Sequence, residues 1–261
     1  MSTVPQEAAT LPDGLQMPLL GFGTWQLQHE EAHDAVLVAL DAGYRHLDTA
    51  TIYRNEREVG AGLTDSGLPR EEVFVTTKCP PRHVGRELRT LRTSLAMLRL
   101  DQVDLWLVHW SGGERDDLDL WRAFVQAQQE GLTRAIGVSN FSLRQIDDLT
   151  NETGVVPAVN QIEWSPLLFD RAVLEGHRQR GIVLEGYSAL RGGTLHHPTI
   201  RAVAERHDRT PAQVIIRWHL QHGVVVIPKS AHEERIRSNA DIGDLVLSED
   251  EMAELDSLGS G

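Results

Sequence analysis

The chain has one cysteine in 261 residues, Cys79, so it cannot form an internal disulfide. That fits a reducing compartment, and a small buried core residue is the ordinary reading of a lone thiol in an apolar run. No apolar stretch is long enough to span a bilayer, and the opening MSTVPQEAATLPDG has neither the positive flank nor the apolar run of a secretory signal. The expected location is the cytoplasm. Basic residues are outnumbered, 25 Lys and Arg against 38 Asp and Glu, a formal net charge of -13. This excludes the broad basic surface that nucleic acid or an anionic membrane requires, so any phosphate site must be local. The chain also lacks a proline-rich or glycine-rich linker, a low-complexity tract and a G-x-G-x-x-G run; GFGTW (21 to 25) has two glycines, no third, and opens no helix. These absences argue against a two-domain or dinucleotide-fingerprint fold. One domain over residues 1 to 261 is expected, with 1 to 14 as a flexible or hairpin extension. No exposed heptad or edge strand asks for a partner, so a monomer is expected.

Hydrophobic residues make up 41% of the chain, enough for a sizeable core. They fall into two alternating patterns. Apolar, β-branched runs predict strands at 19–25, 44–50, 72–78, 103–110, 133–140, more loosely within 155–164, and at 181–190 and 223–230. Helical spacing occupies 29–43, 85–100, 118–130, 142–150, 170–180, 211–221, 231–240 and 248–258. Leu88, Leu91, Leu95 and Leu98 make one stripe, Gly43 is placed to end a helix in the left-handed conformation, and Ser248 with Glu251 has capping-box spacing. About eight strand and helix units in about 250 residues is the size of an α/β (β/α)8 TIM barrel.

Such a barrel gathers strand C-termini on one face, and there the informative residues lie. HLDTATIY (46–53), VTTKCP (75–80) and LWLVHW (105–110) each end an apolar run with reactive side chains: Asp48 and Tyr53, Lys78, and His109. A tyrosine hydroxyl titrates near pH 10, too high for easy proton exchange at neutrality, and a neighbouring ammonium is expected to lower that value. Lys78 is placed to be the ammonium and Asp48 its counter-charge, while His109 can hydrogen-bond a substrate oxygen or relay a proton. The set suits protonation of a carbonyl oxygen while hydride arrives at carbon. Taken singly, each residue has a structural reading: Asp48 as N-cap or ion-pair partner, Tyr53 as edge-of-core aromatic, His109 as a satisfied core histidine. Lys78, in an apolar strand end, is the least easily dismissed.

GYRHLDTATIYRNEREVG (43–60), TTK (76–78), VHW (108–110), GVSNF (137–141), NQIEW (160–164) and IPKS (227–230) occur in order across nearly the whole chain. Together they resemble the signatures of the aldo-keto reductase family, most closely its prokaryotic members that reduce small aldehydes, ketones and diketo sugar acids. The resemblance implies the barrel, NADPH-dependent carbonyl reduction without a metal, and a tetrad of Asp48, Tyr53, Lys78 and His109 with Tyr53 as general acid. It further implies that Ser139, Asn140 and Gln161 hold the nicotinamide carboxamide and that Tyr187 stacks on its ring. Ser188, Leu190 and Gly192 would follow the pyrophosphate, and Lys229, Ser230, Arg235 and Asn239 the adenosine 2′-phosphate and adenine. Two cations beside a hydroxyl in an acidic protein suit a dianionic phosphate, which favours NADPH (NADP+) over NADH. Taken by charge pattern alone, the same cations are a solvated helix face.

The chain departs from the family pattern at Ser238, where many members carry a glutamate, and around Gly192, flanked by Arg191 and Gly193. The last segment, SLGSG, follows a helix where members continue into a tail over the substrate. These departures predict an open, shallow substrate pocket walled by Trp25, Tyr53, His109 and Trp110, suited to a small-molecule carbonyl. Two other activities fit parts of the same pattern: a nucleotide-sensing barrel that binds NADPH with little turnover, and an isomerase or aldolase using Lys78 as a Schiff base.

Overall fold

The structure, a computed structural model, describes residues 4–12 and 14–259; residues 1–3 and 13 of the expected extension lie outside that range. The chain opens with an antiparallel hairpin, β1 (Ala8–Thr10) and β2 (Gln16–Pro18), with Ala8 opposite Pro18. Leu11 and Met17 are buried, so the hairpin contributes to the core.

Eight parallel strands then form one curled sheet in sequence order: β3 (Phe22–Gly23), β4 (His46–Asp48), β5 (Phe74–Cys79), β6 (Val103–Val108), β7 (Thr133–Ser139), β8 (Val159–Glu163), β9 (Val183–Tyr187) and β10 (Val225–Val226). Between them run α1 (His29–Asp41), α2 (Glu56–Asp65), α3 (Glu87–Leu98), α4 (Glu114–Gln129), α5 (Leu143–Thr153), α6 (Arg171–Gln179), and the pair α7 (Pro198–Arg206) and α8 (Pro211–Gln221). Helices α9 (Glu233–Ala240) and α10 (Glu249–Asp256) follow β10. The outer strands approach one another through a parallel bridge between Leu20 and Val226, where the Gly21 N–H donates to the Val226 carbonyl (2.9 Å) and the Val226 N–H to Leu19 (2.8 Å).

Helices on the outer face explain why β5 and β6 are buried along their whole length and read as unbroken apolar runs rather than alternating ones. On that face Trp106 of β6 stacks against Phe124 of α4 at 3.6 Å between ring centroids, and the leucine stripe of α3 turns Leu91, Leu95 and Leu98 into the core. Gly43 ends α1 at φ +101°, and the Ser248–Glu251 capping box is formed at α10.

Several elements differ from the sequence expectation. The strand expected over 223–230 is only two residues long, because Pro228 has no N–H to extend the ladder. Helix α4 starts four residues early, since Glu114, Asp116 and Asp117 place negative charge in its first turn. Helices α2 and α7 were not expected. Gly60 and Gly62 depress the helical signal of α2, yet a side chain at Gly60 would collide with the Leu98 carbonyl of α3, so close packing requires it. Among the described residues no helix is long and apolar enough to cross a membrane.

Candidate active site

Every reactive residue singled out in the strand runs sits at the C-terminal edge of the curled sheet. Asp48 ends β4, Tyr53 lies in the 3-10 turn Thr51–Tyr53 that follows, Lys78 is the penultimate residue of β5, and His109 comes directly after β6. The turn carrying Tyr53 is anchored from below: the Thr51 hydroxyl donates to the Lys78 carbonyl (2.8 Å). Buried Asn55 donates to the carbonyls of Thr24 and Leu27 (2.8 and 2.9 Å) and accepts from the Thr49 hydroxyl (2.8 Å).

The Lys78 ammonium is fully buried and has three oxygens around it: Asp48 Oδ1 at 2.6 Å, the Thr49 carbonyl at 2.9 Å and the Tyr53 hydroxyl at 3.4 Å. The other Asp48 oxygen accepts from Gln161 Nε2 at 2.9 Å, so the carboxylate is used on both sides. Burial opposes the lysine's charge, but Asp48 and Tyr53 outweigh it and hold its pKa at about 12. A charged lysine paired with Asp48 at 2.6 Å is a poor amine nucleophile, which counts against the Schiff-base alternative. For Tyr53 the expected lowering is corrected: burial raises its pKa, Lys78 pulls it down, and Asp48 and Glu185 push it up again, leaving the net direction upward. The phenol is therefore protonated at neutral pH, with the ammonium aimed at its oxygen.

His109 packs edge-on against Tyr53 at 5.7 Å. Burial, then Lys78 and Arg82, push its pKa down to about 3, so the ring is neutral. Its Nδ1 is buried without a hydrogen-bond partner among the described residues, unlike a satisfied core histidine.

Asp48, Tyr53 and His109 form the floor of a cavity of about 380 Å³, with Lys78 buried beneath it. One end is walled by Trp25, Ile52 and Trp110, with Trp25 and Trp110 exposed at 40% and 49%. Along the other end run Tyr187, Ser188 and Leu190, then Pro228 and Lys229. Between the two ends Ser139, Asn140 and Gln161 are knitted together: Ser139 donates to the Gln161 carbonyl (2.8 Å), Asn140 to Ser139 (3.0 Å), and the Tyr187 hydroxyl to Asn140 Oδ1 (2.8 Å). Gly23 gives the wall a close approach, since a Cβ there would stand 2.7 Å from the Ile227 carbonyl. Gln26, Asn140 and Ser188 line the cavity with φ of 65°, 63° and 56°, a left-handed backbone that costs a non-glycine residue free energy. Arg191 stacks over Trp25, guanidinium to ring centroid 4.8 Å, and links the two loops at the rim.

Five sequence-predicted residues lie outside the cavity wall; Lys78 is sealed beneath Tyr53 and Asp48. Gly192 is on the exposed loop beyond Arg191, and Arg235 is on the exposed face of α9. Ser230 is buried, its hydroxyl accepting from the His232 N–H (3.0 Å), and Asn239 is buried in α9. Lys229 and Arg235 are exposed and have no ion-pair partner among the described residues. Sequence reasoning missed Ile52, Gln26 and Arg191 as wall residues. It also missed Glu185, a fully buried carboxyl in mid-β9 opposite Gln161.

The family model for the aldo/keto reductase family matches residues 19–260. The glyoxal reductase of Bacillus subtilis strain 168 is 41% identical over 262 residues, covering 99% of this chain and 95% of that protein. The 9,11-endoperoxide prostaglandin H2 reductase of Trypanosoma cruzi strain CL Brener is 42% identical over 256 residues, covering 95% and 90%. The crystal structure of an aldo/keto reductase from Brucella melitensis superposes with a TM-score of 0.93 at 41% identity, covering 98% of this chain and all of that one. Coverage this complete leaves no part of the site outside the match, and the chain belongs to the aldo/keto reductase family.

Proposed function

We propose that the protein reduces aldehydes or ketones to alcohols with NADPH, using Tyr53 as general acid. The observation that carries this reading is the Lys78 ammonium, held by Asp48 at 2.6 Å and directed at the Tyr53 hydroxyl on the floor of an aromatic-walled cavity. When Tyr53 gives its proton to a substrate oxygen, the phenolate left behind faces a fixed positive charge in a site with little water, where that charge acts at full strength. Neutral His109 has one N–H to donate, so it orients the substrate oxygen and does not relay the proton as an imidazolium.

The groove suits a nicotinamide cofactor. Ser139, Asn140 and Gln161 supply amide and hydroxyl groups for the carboxamide, Tyr187 a flat wall for the ring, and Ser188, Leu190 and Gly192 the pyrophosphate stretch. Lys229, Ser230, Arg235 and Asn239 would serve the 2′-phosphate and adenine; the two exposed, unpaired cations support NADPH over NADH. Bound there, the cofactor supplies the hydride.

The substrate end of the cavity is walled by Trp25, Ile52 and Trp110, with the Arg191 guanidinium over Trp25 at its rim, which suits small substrates such as dicarbonyls. The same reading takes the curled sheet as a closed (β/α)8 barrel, supported by the Leu20–Val226 bridge, in a single-domain cytoplasmic monomer. The test is loss of the nicotinamide absorbance band with a panel of aldehydes, ketones and dicarbonyls, in NADPH and in NADH. Turnover faster with NADPH is expected. Tight NADPH binding with no turnover on any substrate overturns the reading in favour of a nucleotide sensor.

A further inference from the structure

Beneath the Lys78–Asp48 pair the interior of the sheet holds a second carboxyl that the mechanism above does not use. Glu185 is completely buried, and neither of its oxygens has a hydrogen-bond partner among the described residues. His46, fully buried two residues before Asp48 on β4, has Nε2 at 3.9 Å from Glu185 Oε1 and 3.2 Å from the Thr76 hydroxyl. Gln161, across the ladder on β8, has given its amide N–H to Asp48; on the other side Glu185 faces Val225 of β10. The charged and titratable groups that face Glu185 are thus His46 and Asp48 from β4, Lys78 from β5, and Tyr53 above.

A carboxylate here would be a buried charge whose one neighbouring donor, the Gln161 amide, is already hydrogen-bonded to Asp48, whereas the protonated acid is merely polar. Burial first, and then the Asp48 charge, push the Glu185 pKa up to about 8, with Gln161 and Lys78 only partly offsetting them. His46 does not supply a counter-charge, because burial drives its own pKa down to about 3. The protonation state of Glu185 matters because Lys78 has one charge to share: with Asp48 and a neutral Glu185 the centre is balanced before Tyr53 ionises, and with a carboxylate at Glu185 it is already one negative charge in excess.

We propose that Glu185 is a positioning residue for the acid: as a neutral carboxyl under the ion pair it leaves the Lys78 charge to the Tyr53 oxygen, and as a carboxylate it draws that charge away. This rests on the reading of Tyr53 as general acid. At neutral pH the proton stays on Glu185 throughout the reaction and no proton passes through it. Carbonyl reduction therefore has an alkaline limb that belongs to Glu185 and not to Tyr53.

Glu185→Gln keeps the shape and fixes the neutral state. In the whole enzyme with saturating NADPH, its kcat at pH 7 is expected within about twofold of the parent, while the parent's fall above pH 8, about tenfold per pH unit for one ionisation, moves to higher pH in the variant. Superimposed pH profiles overturn the proposal. If the parent turns over no carbonyl at all, the functional reading fails separately, and the phenolate absorbance of Tyr53, isolated by subtracting Tyr53→Phe, decides. Its onset should come at lower pH in Glu185→Gln than in the parent; coincident titrations overturn the proposal. Should Glu185→Gln not fold, the parent's infrared spectrum serves: a protonated-carboxyl band at pH 7 that is lost by pH 9 supports it, and no such band at pH 7 overturns it.

Discussion

The two ends of the site handle charge in opposite ways. At the floor, Lys78 and Asp48 are buried, paired at 2.6 Å and tied into neighbouring strands, so their geometry exists before anything binds. At the far end, Lys229 and Arg235 stand exposed, with no ion-pair partner among the described residues. Buried, compensated charge is suited to stabilising a transition state, because it costs no reorganisation at the moment of reaction. Exposed, uncompensated charge is suited to affinity and discrimination, is screened by salt, and contributes little to the fold.

If that division is right, Tyr53→Phe should lower kcat by at least about a hundredfold while the NADPH dissociation constant, followed by fluorescence titration, changes by less than about twofold. Unimpaired turnover would remove Tyr53 from the acid role. Lys78→Met strands Asp48 as a buried charge and should cost about 3–5 kcal/mol in denaturant unfolding at pH 7, besides abolishing turnover; a stability loss below about 1 kcal/mol would show that the pair is not sealed from water. Glu185→Gln should do the reverse. Because the folded-state pKa is raised, from 4.5 to about 8, the parent's contribution from this group is fully present below about pH 4.5 and is lost as pH rises toward 8. The variant should therefore gain on the order of 3 kcal/mol on the parent at pH 7, shrinking toward pH 5. Arg235→Ala should weaken NADPH by about tenfold, leave NADH nearly untouched, and show a smaller loss at high salt; equal losses for both cofactors would place the 2′-phosphate elsewhere.

The contrast between the ends also explains what was legible in the sequence. Lys78, Asp48 and His109 stood out because each interrupts or ends an apolar run, and burial forces such residues to find partners that can be guessed. Glu185 carries the same signal, a lone acid inside GIVLEGYSAL, and the reasoning applied to Lys78 would have found it. The direction of the Tyr53 shift was misjudged because the sequence reveals neighbours in charge but not depth of burial, and depth wins. Ile52 and Gln26 were silent, since wall residues are chosen by backbone direction, and Gln26 reaches the cavity only through a left-handed turn. Helix α2 was hidden by glycines that serve packing against α3 rather than local propensity.

Gln26, Asn140 and Ser188 each hold a left-handed backbone at the cavity wall. Glycine would relieve Gln26 and Ser188 by about 1 kcal/mol each, but at Asn140 it would also remove the hydrogen bonds to Ser139 and Tyr187. At Asn140 the hydrogen bonds to His109, Ser139 and Tyr187 offset that cost, whereas the side chains of Gln26 and Ser188 make no hydrogen bond among the described residues, so there the left-handed backbone is uncompensated locally. Random mutagenesis scored by melting temperature is expected to recover Gln26→Gly and Ser188→Gly before Asn140→Gly.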